Sequence, residues 1–259
     1  MNSPGFGADF VVHDIAPDVA VRVTREMPAL PPAIDAMVEG LWQAAIRRVE
    51  EGGAGRLFNG QVFSADTITP TLITGHMTEF RRIVAQMDDP DLAGALAVRP
   101  LAVCGVVRGP GGVVIGRRPA AAVYQAGLWQ LPPAGSVDHH ALRTGGVIDL
   151  QGQVLTELTE ELGLAAADIT TIRPLCAVEH PGSRVTDLGI ALETGLSAEA
   201  IRAAHRLRAN TEYDPLLVVG TDQLPSFIDG LGDGLVPPAR EFLYRVGLLP
   251  YGLSPPTGP

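Results

Sequence analysis

A chain of 259 residues with 46% hydrophobic and 19% charged side chains can bury a substantial core, and no apolar run approaches the roughly 20 residues needed to span a bilayer. Its net charge of −10 opposes polymeric nucleic acid, which is bound through clustered cations, and Cys104 and Cys176 alone are too few for a disulfide framework or a thiolate zinc site. All 19 basic residues are arginine, which excludes phosphate-loop lysines, Schiff bases and pyridoxal phosphate anchoring.

Met1 to Phe10 lacks the basic and then apolar pattern of an export signal, so a cytoplasmic location is expected. Pro32 to Glu51 carries Ile34, Met37, Val38, Leu41 and Ala45 at helical spacing behind two prolines suited to a helix start. Gln61 to Thr67 and Thr71 to Thr74 are rich in β-branched residues, parted by Pro70, and predict two short strands. Met77, Phe80, Ile83, Val84 and Met87 then predict a second helix ending before Pro90. Residues 1–98 therefore read as an α+β extension.

A second unit, residues 99–250, opens with the hairpin Leu101 to Val107 and Val113 to Gly116, turned at Gly109-Pro110-Gly111-Gly112. The apolar approach Gly127-Leu128-Trp129-Gln130-Leu131-Pro132-Pro133-Ala134-Gly135 follows, then a long loop and a helix from about Ile148 to Leu162. Strands are predicted near Leu175 to Val178, Val185 to Leu192 and Pro215 to Val219, and helices over Ala198 to Arg208 and Ala239 to Val246. The Pro/Gly-rich tail, Tyr251 to Pro259, is expected to be disordered.

The stretch Leu155-Thr156-Glu157-Leu158-Thr159-Glu160-Glu161-Leu162-Gly163-Leu164 concentrates the chemistry. On a helical wheel Leu150, Val154, Leu155, Leu158 and Leu162 form one apolar face, while Glu157, Glu160 and Glu161 share an arc of about 100°. Glu161 falls at the margin of the apolar face, where water is scarce. Three carboxylates so placed repel one another unless a hard divalent cation, which prefers oxygen ligands and can also hold substrate phosphate, lies among them. A solvated acidic helix face is the ordinary alternative.

Glu157 to Leu164 resembles the second half of the box that defines the Nudix hydrolases, Arg-Glu-aliphatic-x-Glu-Glu-x-Gly-aliphatic, in every element after the opening Arg. Gly127 to Gly135 is similar to that family's Gly-x-Trp-x-Leu-Pro-Gly-Gly approach. The resemblance covers roughly Leu101 to Phe227 and implies an α/β fold, a Nudix-type α/β/α sandwich with a mixed sheet. It also implies Glu157, Glu160 and Glu161 as magnesium ligands and catalytic residues, with manganese as a substitute metal. Thr156 replaces the opening Arg, the earlier Glu position falls on Ile148, and Gly135 lies about seven residues farther from the helix than the pattern requires. Ser136 to Gly146 reads as an insertion.

The order of elements, with an N-terminal extension and a long insertion before a degenerate box, is similar to the family's UDP-glucose- and UDP-galactose-hydrolysing branch. That resemblance implies cleavage of a nucleoside diphosphate joined to another moiety, with a UDP-sugar giving UMP and sugar 1-phosphate. The partners expected are a small-molecule nucleotide and a second copy of the chain, without nucleic acid or membrane. A catalytically silent nucleotide-sugar-binding module is the alternative raised by Thr156 and the displaced Gly135; an isoprenoid diphosphate isomerase is another, with no Cys beside the glutamates in sequence to support it.

Arg117, Trp129 and Glu212 are further candidates for substrate binding, each with an ordinary structural role beside the functional one. Arg117 and Arg118 end a hairpin strand, where a guanidinium can clamp a diphosphate, yet neighbours on a strand point to opposite faces and only one can serve a given site. Trp129 can stack on a base or pack as core. Glu212 lies in a loop before a late strand, the region from which some Nudix enzymes draw a general base, or is a solvated loop residue. Asp138, His139 and His140 in the insertion read as an exposed loop group, and Glu179-His180-Pro181-Gly182-Ser183 as a strand end of unassigned role.

Overall fold

The computed structural model describes residues 10–52, 56–120, 122, 124–208 and 212–250; the tail expected to be disordered lies outside them. In chain order the elements are β1 (Val11–Asp14), β2 (Ala20–Val23), α1 (Pro32–Glu51), β3 (Gln61–Ile68), β4 (Leu72–Glu79), α2 (Phe80–Asp88), α3 (Ala93–Leu96), β5 (Leu101–Gly109) and β6 (Gly112–Arg117). They continue as β7 (Trp129–Gln130), β8 (Ala134–Ser136), β9 (Leu142–Arg143), β10 (Val147–Ile148), α4 (Leu150–Glu157), β11 (Ile169–Glu179) and β12 (Thr186–Thr194). The last are α5 (Ala198–Arg208), β13 (Leu216–Val219), α6 (Leu224–Leu231) and α7 (Pro238–Arg245). The fold is mixed α/β, the class the sequence predicts. Among the described residues no helix is long and apolar enough to cross a membrane.

Two compact units divide the chain: Met1–Ala102 with Ser136–Gln153 and Ala177–Asp187, and Val103–Gly135 with Val154–Cys176 and Leu188–Pro259. The first is built on a sheet of order β3-β4-β2-β10-β9. β2 runs parallel to β4, with Val21 opposite Ile73, whereas β3 and β4 are antiparallel with a register shift between Ala65 and Thr67. The helix predicted from Pro32 is α1, and its buried Val38 joins Val62, Ile83, Ala85, Leu92 and Leu96 in one core cluster. Trp42 of α1 meets Phe80 of α2 edge-on at 6.2 Å.

Two expectations are corrected here. Met77 belongs to β4, paired with Phe63, because the alternation begun at Leu72 continues to Glu79 and its last residues also fit an i, i+3 pattern. Ser136 to Gly146 is more ordered than a loop: its β9 pairs with β10, which follows it, in the first unit's sheet, and Asp138 bridges to Val62.

In the second unit the sheet order is β11-β12-β5-β6-β13, with β7 beside β6. The predicted hairpin is present, Gly109 standing opposite Gly112. β6 pairs antiparallel with β13, Ile115 opposite Leu217, and Val113, Val114 and Ile115 are all fully buried. Burial on both faces explains why β6 reads as a continuous apolar run rather than an alternating one.

The β3–β4 hairpin has one position without room for a side chain. A Cβ on Gly75 would overlap the Ser64 carbonyl oxygen and lie 2.8 Å from the Phe63 ring. Gly75→Ala is expected to lower stability by about 1–3 kcal/mol, read as a lower urea midpoint at unchanged m-value.

Candidate functional site

The helix predicted over the glutamates starts at Leu150, and its final turn, Leu158–Leu162, is wound as a π-helix. Thr159 donates its hydroxyl to the Leu155 carbonyl at 3.0 Å, a local bond that competes with regular helix geometry. Gly163 closes the turn at φ 70°, and Leu158, Leu162 and Leu164 are buried beneath it. Widened turns of this kind are frequent at functional sites.

That turn separates the three glutamates by environment. Glu160 is exposed and Glu157 half-buried, whereas Glu161 is 1% exposed. Oε2 of Glu161 accepts from the Ala134 backbone N–H at 3.0 Å; among the described residues no donor reaches its Oε1. The Glu212 carboxylate stands within hydrogen-bonding range of it and Glu157 adds further negative charge. Burial first, then Glu212 and Glu157, push the Glu161 carboxyl well above the usual carboxylate range, against the single lowering effect of the Ala134 N–H.

Glu157 is seated on Gly135: a Cβ there would overlap its carboxylate. The glycine that the sequence sets too far from the helix is therefore in contact with it, because the intervening Ser136 to Gly146 leaves the site and returns. The donor set (Glu161, Glu157 and Glu212) is all oxygen and net negative, with one buried oxygen lacking a hydrogen bond, which fits a hard divalent cation such as magnesium or manganese.

The β6–β7 register sorts the neighbouring candidates. Gly116 lies opposite Gln130, and Arg117 opposite Trp129, so each pair shares one face of the ribbon. On the Gly116 face, the Tyr213 ring packs so closely that a Cβ on Gly116 would come within 2.6 Å of it. Oε1 of Gln130 accepts from Arg118 Nη1 at 2.7 Å and from the Tyr213 hydroxyl at 3.4 Å. Tyr213 is fully buried, and burial together with the Glu161 charge raises its phenol well above 10, so it remains a donor. On the other face Arg117 is exposed and donates to the Gly127 carbonyl at 3.0 Å, and Trp129 meets Phe227 edge-on at 5.6 Å.

The structure thus brings Glu157, Glu161 and Glu212 together, leaves Glu160 on the exposed side, and sets Arg117 and Trp129 on the ribbon face away from Gln130. Tyr213 and Gln130, the latter at an unspecified position of the Gly-x-Trp-x-Leu-Pro approach, escaped the sequence reading; Arg118 was weighed there with Arg117, and the alternation rule allows one arginine of the pair to face inward. Elsewhere, Asp138, His139 and His140 hold their ligand atoms within 4.8 Å of one another on exposed or half-buried positions of the first unit. His180 Nε2 lies 2.7 Å from Asp187 Oδ2.

No protein-family model and no curated protein matches the chain. Among solved structures it is similar to a MutT protein from Methanosarcina mazei Go1, at 20% identity and TM-score 0.38, over 57% of this chain and 92% of that one. A MutT NUDIX hydrolase from Burkholderia pseudomallei is similar at 19% identity and TM-score 0.38, over 57% and 97% of the two chains. A NUDIX hydrolase from Alicyclobacillus acidocaldarius gives 12% identity and TM-score 0.41 over 57% and 90%.

A carboxyl whose folded pKa is raised holds a proton that the unfolded chain has released, so the chelator-treated fold loses stability as pH rises above the usual carboxylate range. As pH rises above the usual carboxylate range, wild-type protein in chelator is expected to lose thermal stability that Glu161→Gln retains, and added magnesium restores the wild type alone. Parallel pH profiles for the two proteins in differential scanning fluorimetry would contradict this assignment.

Proposed function

We propose that this chain is a Nudix-type hydrolase that cleaves the diphosphate of a nucleoside diphosphate derivative. The observation that carries the reading is the buried, donor-free oxygen of Glu161 facing Glu157 and Glu212, on the helix whose sequence resembles the second half of the Nudix box after its opening Arg. Glu157 and Glu161 would hold magnesium or manganese, with Glu160 at the exposed edge of the same helix. When bound, the cation supplies Lewis acidity toward the phosphoryl oxygens and offsets charge developing there.

The chain's own groups account for the remaining work. Glu212, exposed to solvent yet beside Glu161, is placed to take a proton from a water attacking phosphorus, and the P–O bond to the leaving phosphate breaks. Gly135 leaves room for the Glu157 carboxylate, and the Ala134 N–H fixes one oxygen of Glu161, so both carboxylates are oriented before substrate arrives. A UDP-sugar as substrate, with UMP and sugar 1-phosphate as products, is supported by the similarity of organisation to the UDP-sugar-hydrolysing branch. The charge of −10 supports a small-molecule nucleotide over nucleic acid as partner; the cytoplasm and a homodimer complete the proposal. Thr156, in place of the box's arginine, supports a second reading, a nucleotide-sugar-binding module without turnover.

Phosphate NMR with magnesium and UDP-glucose, ADP-ribose, NADH, coenzyme A or diadenosine polyphosphates distinguishes these readings. Metal-dependent UMP and glucose 1-phosphate are expected from UDP-glucose; turnover of another compound replaces the substrate, and none of them turned over leaves the binding module. Glu157→Gln and Glu161→Gln are each expected to lower kcat by about 10²- to 10³-fold, and Glu212→Gln by about 10²-fold with KM little changed. Unaltered turnover in all three variants would sink the mechanism.

A further inference from the structure

Glu212 stands beside the buried Glu161 carboxyl, which offers no opposite charge to draw it in, so the loop that bears it needs an anchor of its own. The adjacent residue is Tyr213, the largest side chain less than 2% exposed. Its ring fills the space above Gly116 that any Cβ would occupy, and its hydroxyl donates to Gln130 Oε1 at 3.4 Å. Arg118 has only donors, so its 2.7 Å bond to the same oxygen fixes which end of the Gln130 amide faces the tyrosine. Arg118 is itself tied down, donating from Nε to the Tyr124 carbonyl at 3.1 Å. On the far side of Tyr213, Asp214 N–H donates to the Arg117 carbonyl at 2.9 Å and Arg117 N–H to the Pro215 carbonyl at 3.0 Å. The backbone on one side of Glu212 is thereby anchored to β6 while its carboxylate remains at the exposed edge of the cluster.

We propose that Tyr213 is a positioning residue, held by Gln130 and Arg118, that fixes the Glu212 carboxylate against Glu161 and so sets the cation affinity of the cluster. The inference rests on reading the carboxylates as a divalent-cation site. It assigns work to three residues outside the Nudix box and explains why β6 carries glycine at position 116. It also gives Arg118 a role distinct from that of its neighbour: a fixed donor beneath the site instead of an exposed cation.

The test is a double-mutant cycle read by Mn2+ titration calorimetry, which requires no turnover, on the full chain. Tyr213→Phe keeps the ring that fills the space over Gly116 and removes only the hydroxyl, so the melting temperature is expected to stay close to that of the wild type. Mn2+ binding should weaken by about 2- to 10-fold, the range of one ordinary hydrogen bond, and Gln130→Ala should reproduce the loss. In a Glu212→Gln background Tyr213→Phe should cost no further affinity, because the group it positions has lost its charge. On any substrate that is turned over, Tyr213→Phe should lower kcat and leave KM unchanged.

Wild-type affinity for Mn2+ in Tyr213→Phe would overturn the proposal, as would a loss that persists undiminished in the Glu212→Gln background, since either places Tyr213 in the fold and not in the cluster. Failure of the wild-type protein to bind Mn2+ at all would instead overturn the cation site itself, and this proposal with it.

Discussion

The second unit is organised around a carboxylate almost wholly withdrawn from water. Glu161 accepts a hydrogen bond from Ala134 N–H and faces two further carboxylates. Burying an unpaired charge is among the most costly arrangements available to a protein, and a group so placed ordinarily neutralises itself by taking up a proton. The surrounding features make sense as the means of holding that group in place. Leu158 and Leu162 anchor the turn that carries it, Gly163 ends the turn in a conformation suited to glycine, and Gly135 makes room for Glu157.

Helix geometry and strand geometry contribute different things. On a regular helix Glu161 already falls at the margin of the apolar face; in the π-turn it is buried while Glu160 stays exposed. The strands supply the rest through register alone. Because Gly116 pairs with Gln130 and Arg117 with Trp129, a one-residue slip would exchange the two faces and place Trp129 beneath Tyr213. The short turn residues and glycines of this region fix which side of the ribbon meets the carboxylates.

Much of this was legible in the residues because it depends on local periodicity. The long amphipathic helix from Pro32, the hairpin at Gly109 to Gly112, the helix at Ala198 and the inward margin of Glu161 all follow from spacing within a few turns. What was not legible depends on partners distant in sequence. Glu212 reads as a loop glutamate until Glu161 is seen beside it, and Gln130 and Tyr213 are joined across more than 80 positions. β1, mostly exposed, and β2 are only four residues each and match no periodic template, and α6 is a helix of eight residues. The π-turn escaped because an i, i+3, i+4 reading assumes the regular winding it departs from.

Comparison with the other buried acids shows that the state of Glu161 is particular to its site. Glu179 and Asp187 are also largely buried. Glu179 is bonded by Arg99 and Arg184, which hold it below the usual carboxylate range, and Asp187 is paired with His180. A chain with 19 arginines has cations enough, and two of them, Arg99 and Arg184, are placed on Glu179. Arg118 points its Nη1 at Gln130, and the charged groups that dominate the surroundings of Glu161 are two carboxylates. An ion pair offsets burial at Glu179, whereas at Glu161 burial and the two carboxylates act in the same direction; a divalent cation held there, as the proposed function has it, would supply the charge that Arg99 and Arg184 supply at Glu179.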